Sequence, residues 1–345
     1  MKNKNQILID DANMVISKVD LSGINGCKIL VAGASGLIGT HIVYSIKQYV
    51  ETTGADVELY IITRGELPAQ MDFANECGWI KVFKGEMTDS SFLRALPAVD
   101  IIIDAAGYGQ PLRFMNEAAN TLKINTYTIF ELMEKLKRPG KFLFMSSSAV
   151  YTGLSETPFR EEEVGNSNTN HPRACYIEGK KCGEAICNAY RMEGVDAKSV
   201  RLSITYGPGT KKDDVRVMNT FIRSALIEKQ IKLLDDGKAQ KAFMYVSDAV
   251  ELIWKMLLFG KESIYNIGGS EQISIAQLAH IIGDYCNAPV ILNEGNRDAV
   301  KGAIAAELLS MERVAKEFGK NDYIGIEQGT RRTINWARLN LYDQT

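Results

Sequence analysis

The sequence predicts an α/β fold: a doubly wound parallel sheet followed by a smaller mixed α/β lobe. Three observations predict it. Apolar runs suited to strands buried on both faces alternate with amphipathic stretches of helical length from residue 27 to about residue 205. A glycine-rich turn carrying Gly33, Gly36 and Gly39 separates the first of those runs from the first long helix. Beyond residue 206 the apolar runs shorten and their order becomes mixed.

At 345 residues, 46% hydrophobic and 24% charged, the chain is long enough for one large domain or two closely packed ones. A formal net charge of −2 argues against nucleic acid as a partner, because neutralising phosphates needs a basic stripe. The six cysteines (Cys27, Cys77, Cys175, Cys182, Cys187 and Cys286) make no C-x-x-C pair, and with three histidines there is no zinc-like clustering. No metal is expected, and the thiols read as reduced groups of a cytoplasmic protein. The stretch MKNKNQILIDDANMV is too polar and acidic for a signal peptide. No apolar run approaches the ~20 residues of a membrane span, so no membrane partner is expected.

In chain order, residues 1–26 read as a short, loosely amphipathic arm that packs on the body or on a second subunit. CKILVAGASGLIGTHIVYSIKQYV, residues 27–50, is strand, glycine turn and helix, the opening of a Rossmann-type nucleotide-binding βαβ unit. VELYIIT (57–63), WIKVFKG (79–85) and VDIIIDAAG (99–107) are further buried strands. Residues 117–137 predict one long helix stopped by Pro139 and Gly140, with KFLFMSS as the next strand. SETPFREEEVGNSNTNHPRA is a polar surface excursion, and the helix after it runs to about Met192. VDAKSVRLSITYGPG supplies a strand and turn, and 217–229 a helix. IKLLDDG, KAFMYVSDAVELIWKMLLFG and SIYNIGG follow, with helices near 274–286 and 310–318. The division is therefore a Rossmann domain at 27–205, with a return segment near 242–268, and a substrate-binding lobe at 206–345.

The chemistry-bearing residues sit at the junctions of these elements. In G-x-x-G-x-x-G, the missing side chains of Gly33, Gly36 and Gly39 let the backbone approach a pyrophosphate on the helix N-terminus, with Ser35, Leu37 and Ile38 in the same turn. A dinucleotide cofactor is the expectation. The second strand ends Ile62, Thr63, Arg64, Gly65, with no carboxylate for the ribose hydroxyls. A guanidinium there suits a 2′-phosphate, which tilts NAD(P) toward NADP. NAD stays open, because Arg64 serves equally as a solvated charge or a stack on adenine. Tyr176 and Lys180 are four apart on one helical face. A lysine ammonium so placed lowers a phenol's pKa and lets it shuttle protons near neutral pH. Tyr108 and Gln110 follow the fourth strand at its carboxyl end, where ligands bind in doubly wound sheets, and are candidate substrate contacts.

These motifs occur in a telling order. The glycine motif is followed by D-A-A at Asp104–Ala106, I-N-T at Ile124–Thr126, S-S-S-A-V-Y at 146–151, Y-x-x-x-K at 176, R-L-S-I-T-Y-G-P-G at 201–209 and Y-V-S-D at 245–248. Together they resemble the extended short-chain dehydrogenase/reductase family, the NAD-dependent epimerase/dehydratase group acting on nucleotide sugars. The resemblance covers Cys27 to about Trp336. R-A-C-Y-I-E-G-K-K at Arg173–Lys181, R-V-M-N-T-F-I at 216–222 and K-A-F-M-Y-V-S-D are most similar to UDP-glucuronate decarboxylases. The resemblance implies a triad in which Tyr176 exchanges the proton of a sugar hydroxyl, Lys180 holds the nicotinamide ribose and Ser147 bonds the reacting oxygen. It further implies cofactor contacts from Glu86, Met87, Ala105, Ala106 and Asn125. Substrate contacts are implied for Ser148, Tyr206, Arg216, Asn219 and Lys241, and a homodimer through the helices near 117–137 and 174–193.

The sequence also departs from the pattern. The decarboxylases and 4,6-dehydratases carry Glu where this chain has Ala149, and dehydration needs a base at C5 and an acid for the leaving hydroxyl. The expectation is therefore an epimerase or ketoreductase working at C4 of a nucleotide sugar. The alternatives are decarboxylation or dehydration by a displaced acid/base and, in another class, a non-catalytic dinucleotide-binding regulator, which has no need of the triad. Lys241 stands where the family places an arginine on the substrate pyrophosphate, and Glu307 aligns with a second one. A glutamate beside two phosphates costs ~1 kcal/mol or more. Arg297 and Lys301 are nearby substitutes.

Overall fold

In the computed structural model, which describes residues 4–293 and 306–342, seven parallel strands form the main sheet in the order β10-β6-β5-β4-β1-β2-β3. Its strands are β1 (Cys27–Ala32), β2 (Val57–Thr63), β3 (Ile80–Lys84), β4 (Val99–Asp104), β5 (Leu136–Ser147), β6 (Asp196–Leu202) and, returning late, β10 (Ile264–Ile267). Every adjacent pair is parallel. The apolar runs follow from this: Ile29 to Ala32 and Ile101 to Ile103 are buried with polar partners only at strand ends. Strand order reverses between β1 and β4, and the crevice at their carboxyl ends is where such sheets bind ligands.

Helices cover both faces. They are α1 (Gln6–Lys18), α2 (Leu37–Thr53), α3 (Ser90–Ala95), α4 (Pro111–Asn116), α5 (Ala118–Asn125), α6 (Tyr127–Met133), α7 (Ala174–Met192), α8 (Val217–Arg223), α9 (Val246–Phe259), α10 (Ile275–Cys286), α11 (Glu312–Phe318) and α12 (Ile326–Asn340). The smaller lobe holds β7 (Ile204–Tyr206), β8 (Ile231–Lys232), β9 (Gln240–Tyr245), β11 (Gln272–Ser274), β12 (Val290–Ile291) and β13 (Ala306–Glu307). There β11 pairs antiparallel to β9 while β7 and β13 pair parallel to it, and β8 pairs with β12. Mixed pairing explains the irregular pattern after residue 206.

One stretch differs from expectation. The single helix predicted over 117–137 is interrupted at Thr126 (φ −135°, ψ −79°) and ends at Met133. The Asn125 Nδ2 donates to the Thr121 carbonyl at 2.8 Å and Thr126 Oγ1 to that of Leu122 at 2.7 Å, so side chains take carbonyls that a continuing helix uses. Pro139 and Gly140 then lie inside β5, in the register shift between Val99↔Leu136 and Ile101↔Lys141. The predicted arm is helix α1, packed against α2 and α9, with Leu8, Ala12 and Val15 in the core. Its Asp11 is fully buried and accepts from Arg332 of α12 at 2.6 Å and from the Tyr245 hydroxyl at 2.9 Å. All six cysteines are unpaired. Among the described residues no helix is long and apolar enough to cross a membrane, and no group of three or more His, Cys, Asp or Glu is placed to hold a metal ion.

Candidate active site

The glycine turn is built for close approach. Gly33 has φ +75°, and a Cβ there would stand 2.5 Å from the Ala105 carbonyl oxygen at the end of β4. At Gly39 a Cβ would stand 2.4 Å from the Gly33 oxygen. Neither position admits a side chain. Gly36 begins α2, no side chain caps that helix, and its first-turn N–H groups are left to a ligand anion. These features fit a dinucleotide pyrophosphate.

Around the turn lies a cleft of about 360 Å³ at the carboxyl ends of β1, β2 and β4. It gathers the predicted Gly33, Ser35, Gly36, Arg64, Glu86, Met87, Ala105 and Ala106. Leu37 and Ile38 form the adjoining first turn of α2 and pack on the core. Tyr108, expected at the substrate, also lines this cleft. Arg64 donates to its hydroxyl at 3.1 Å and lies 5.3 Å from its ring centre, and Arg113 lies 5.2 Å from the same ring. Glu86 faces Arg64 at 3.8 Å. Arg113, Lys211 and Asp213 line the same cleft and were missed. Pro111 signalled a helix start at the carboxyl edge of the sheet and would have pointed to Arg113. For Lys211 and Asp213 the signal was the charged tract directly after β7.

The second group of predicted residues lies on α7 and at the end of β5. Helix α7 comes close to the sheet because it carries glycines where it touches its neighbours. A Cβ on Gly183 would stand 2.5 Å from the Phe144 ring, and one on Gly179 would stand 3.2 Å from Asn125 Cβ. This approach buries Lys180, whose Nζ donates to the Met145 carbonyl at 2.5 Å. The ammonium lies 4.6 Å from the Phe144 ring centre and 5.8 Å from that of Tyr176. Burial lowers the Lys180 pKa to about 8 against the opposing pull of Asp104 and Glu184. The half-buried Tyr176 stacks on Phe114, centres 4.5 Å apart and planes 11° off parallel. Ser147 Oγ accepts the Ala149 N–H at 3.2 Å, capping the turn 148–151 and keeping its own proton to donate. Ser148 and Ala149 are buried in that turn. Asn125 lies beneath α7, against Gly179, with its Oδ1 buried and unpaired.

Behind the serines runs a polar network that the sequence did not announce. Ser146 donates to Glu184 at 2.6 Å, and Glu184 pairs with Arg201 at 2.8 Å and 3.0 Å. Arg201 also donates to the Tyr151 hydroxyl and to the carbonyls of Glu161 and Glu163. Tyr151 in turn reaches Asn266 on β10 at 2.7 Å.

Of the expected substrate contacts of the smaller lobe, Arg216 and Asn219 meet at Asp214, while Tyr206 and Lys241 stand on separate strands. Tyr206 is in the core, with its hydroxyl on the Ile326 carbonyl at 3.4 Å and its ring against Phe243 and Tyr245. Arg216 is held by Asp214 at 2.6 Å. Asn219 lines a small cavity with Thr210, Lys211 and Trp336. Lys241 lies on β9, and the parallel register sets it beside Glu307. Arg297 and Lys301 lie outside the described residues.

The sequence model of the NAD dependent epimerase/dehydratase family matches residues 29–268. Among curated relatives, UDP-glucuronic acid decarboxylase 1 of Xenopus tropicalis is 28% identical over 92% of this chain and 73% of its own length. The dTDP-4-dehydro-6-deoxy-D-allose reductase of a Streptomyces species is also 28% identical, over 91% of this chain and 97% of its own length. Among solved structures, dTDP-glucose 4,6-dehydratase from Streptomyces venezuelae, with NAD bound, superposes with a TM-score of 0.76 at 22% identity, covering 91% of this chain and 97% of its own. UDP-glucose 4-epimerase from Thermotoga maritima, with UDP-glucose, gives 0.74 at 20% identity, covering 90% and 98%. At these identities the structures speak to the fold.

Proposed function

The chain belongs to the NAD dependent epimerase/dehydratase family, and from that premise we propose that it oxidises or reduces one carbon, C4, of a nucleotide sugar, as an epimerase or ketoreductase. The observation that carries this reading is the dry Lys180 ammonium on the Met145 carbonyl, 5.8 Å from the Tyr176 ring. A positive charge so placed favours the phenolate over the neutral phenol. Tyr176 then takes the proton of the sugar hydroxyl, or returns it, while Ser147 donates to the reacting oxygen. The nicotinamide, when bound, supplies the hydride exchange. Gly33, Gly36 and the start of α2 hold its pyrophosphate. Arg64 and Arg113 on either contact of Tyr108 support a 2′-phosphate and hence NADP.

The buried methyl of Ala149 supports single-carbon redox chemistry, since it offers neither acid nor base. Decarboxylation of a nucleotide-linked uronic acid is the second reading, favoured by the activity of the Xenopus relative and opposed by Ala149. Exposed Leu122, Phe130 and Met192 on α5, α6 and α7 support a homodimer through these helices. Six unpaired thiols support a reducing, cytoplasmic setting.

The test is protection against thermal unfolding by UDP-, GDP-, dTDP- and CDP-sugars in the presence of NAD or NADP, followed by turnover of whichever protects. Tyr176→Phe is expected to keep dinucleotide binding and to lose turnover by about 10²–10⁴-fold. No protection by any nucleotide sugar overturns the substrate class, and full biological activity in Tyr176→Phe favours the regulator instead.

A further inference from the structure

We propose that Asp104 is a positioning residue of the active site, a buried carboxylate whose charge keeps the Lys180 ammonium charged and fixed beside Tyr176; this rests on the roles given above to Lys180 and Tyr176. Asp104 ends β4, with Ala32 of β1 and Phe144 of β5 as its register neighbours, in the middle of the main sheet. It is fully buried. One carboxylate oxygen accepts the Ala106 N–H at 3.2 Å, and the other has no hydrogen-bond partner. A buried carboxylate left half-satisfied is costly unless a cation compensates it.

The compensating cation is Lys180. Its Nζ is bound to the carbonyl of Met145, the residue after Phe144, and lies 3.8 Å from where a Cβ on Gly107 would stand. The influence is mutual. Burial raises the Asp104 pKa to about 6, and Lys180 is the first group opposing it. Burial lowers Lys180 to about 8, and Asp104 is the first group holding it up, ahead of Glu184 and Cys187 of its own helix. Glu184 is engaged by Arg201 and Ser146. On the remaining sides β5 presents the Met145 carbonyl and the Phe144 ring, and α7 the ring of Tyr176. Asp104 is thus the carboxylate left to Lys180. Asp104 carries its charge above about pH 6 and Lys180 below about pH 8, so the pair exists between those values and dissolves on either side.

A role confined to the turn through Ala106 is the competing explanation, and Asp104→Asn separates the two because the amide oxygen keeps that bond while the charge is lost. The experiment is a double-mutant cycle of Asp104→Asn and Lys180→Met, read by urea unfolding at pH 5, 7 and 9.5. The expected coupling is tenfold or more in the folding constant at pH 7, about 1.4 kcal/mol, falling below about twofold at pH 5 and at pH 9.5. A coupling that is absent, or equal at all three values, overturns the proposal. If Asp104→Asn does not fold, wild type and Lys180→Met suffice: the margin of wild type over the variant must widen between pH 5 and pH 7, and a constant margin overturns it. With a nucleotide sugar that the enzyme turns over, the alkaline limb of the Asp104→Asn rate profile moves down by about one pH unit; an unmoved limb again overturns it. If no nucleotide sugar is turned over, the proposed reaction fails while the unfolding cycle still decides the role of Asp104.

Discussion

Arg201→Met removes the centre of the network behind the active-site serines while keeping the volume of the arginine stem. The Arg201 side chain is 1% exposed and donates two hydrogen bonds to Glu184, one to the Tyr151 hydroxyl and one each to the carbonyls of Glu161 and Glu163. Its loss leaves the Glu184 carboxylate, 8% exposed, with Ser146 as its remaining hydrogen-bond donor in the network. Removing one partner of a buried pair costs about 3–5 kcal/mol, because the other charge stays behind unpaired. With about 2.1 cal/mol/K of unfolding entropy per residue over 345 residues, the melting temperature falls by about 4–7 °C. Thermal and urea unfolding of Arg201→Met, Glu184→Met and the double variant measure this. The double variant is expected to lose less than the sum of the singles, since no lone charge remains. A loss under about 1 kcal/mol in Arg201→Met, or a double variant at least as damaged as the sum, would refute the electrostatic account.

Three further outcomes follow from other parts of the molecule. Gly33→Ala forces a Cβ to 2.5 Å from the Ala105 oxygen at φ +75°, so fluorescence titration should show reduced-dinucleotide affinity down by tenfold or more, roughly 1.4 kcal/mol; unchanged affinity would remove the glycine turn from the binding site. Arg64→Ala and Arg113→Ala should weaken NADPH by about tenfold while NADH stays within about twofold, and equal losses for both cofactors would contradict a 2′-phosphate contact. Deleting residues 1–19 strips Leu8, Val15 and Val19 from the core and leaves Arg332 without Asp11, at about 1.5–3 kcal/mol for each large apolar side chain. The shortened chain should lose cooperative unfolding, and undiminished stability would contradict the seating of α1 in the core.

Much of the main sheet was legible because parallel strands buried on both faces leave continuous apolar runs, and the glycine turn was legible because only glycine fits between β1, β4 and α2. The spacing of Tyr176 and Lys180 put them on one helical face, and the order of the surrounding motifs singled them out as a candidate pair; both do lie on α7. The break at Asn125 and Thr126 was hidden, because the apolar pattern runs on while side-chain bonds to Thr121 and Leu122 end the helix. The network of Ser146, Glu184 and Arg201 was equally hidden, since its members come from β5, α7 and β6 and each alone is an unremarkable polar residue. Asp104 was seen as part of a motif, but the burial of Lys180 on the same side of the sheet depends on how close Gly179 and Gly183 let α7 descend. Tyr108 was placed at the right edge of the sheet, but its two arginine neighbours were not foreseen, because they come from separate loops.

The bond between Asp11 and Arg332 joins residues 321 positions apart. On a ribosome adding about 5–20 residues per second, roughly 15–65 seconds separate the appearance of the two. Throughout that interval the Asp11 carboxylate lacks the guanidinium that pairs with it, so the seat of α1 is incomplete while the Rossmann strands emerge behind it. That contact between the two ends of the chain therefore waits for the last helix, which is the final element to be made.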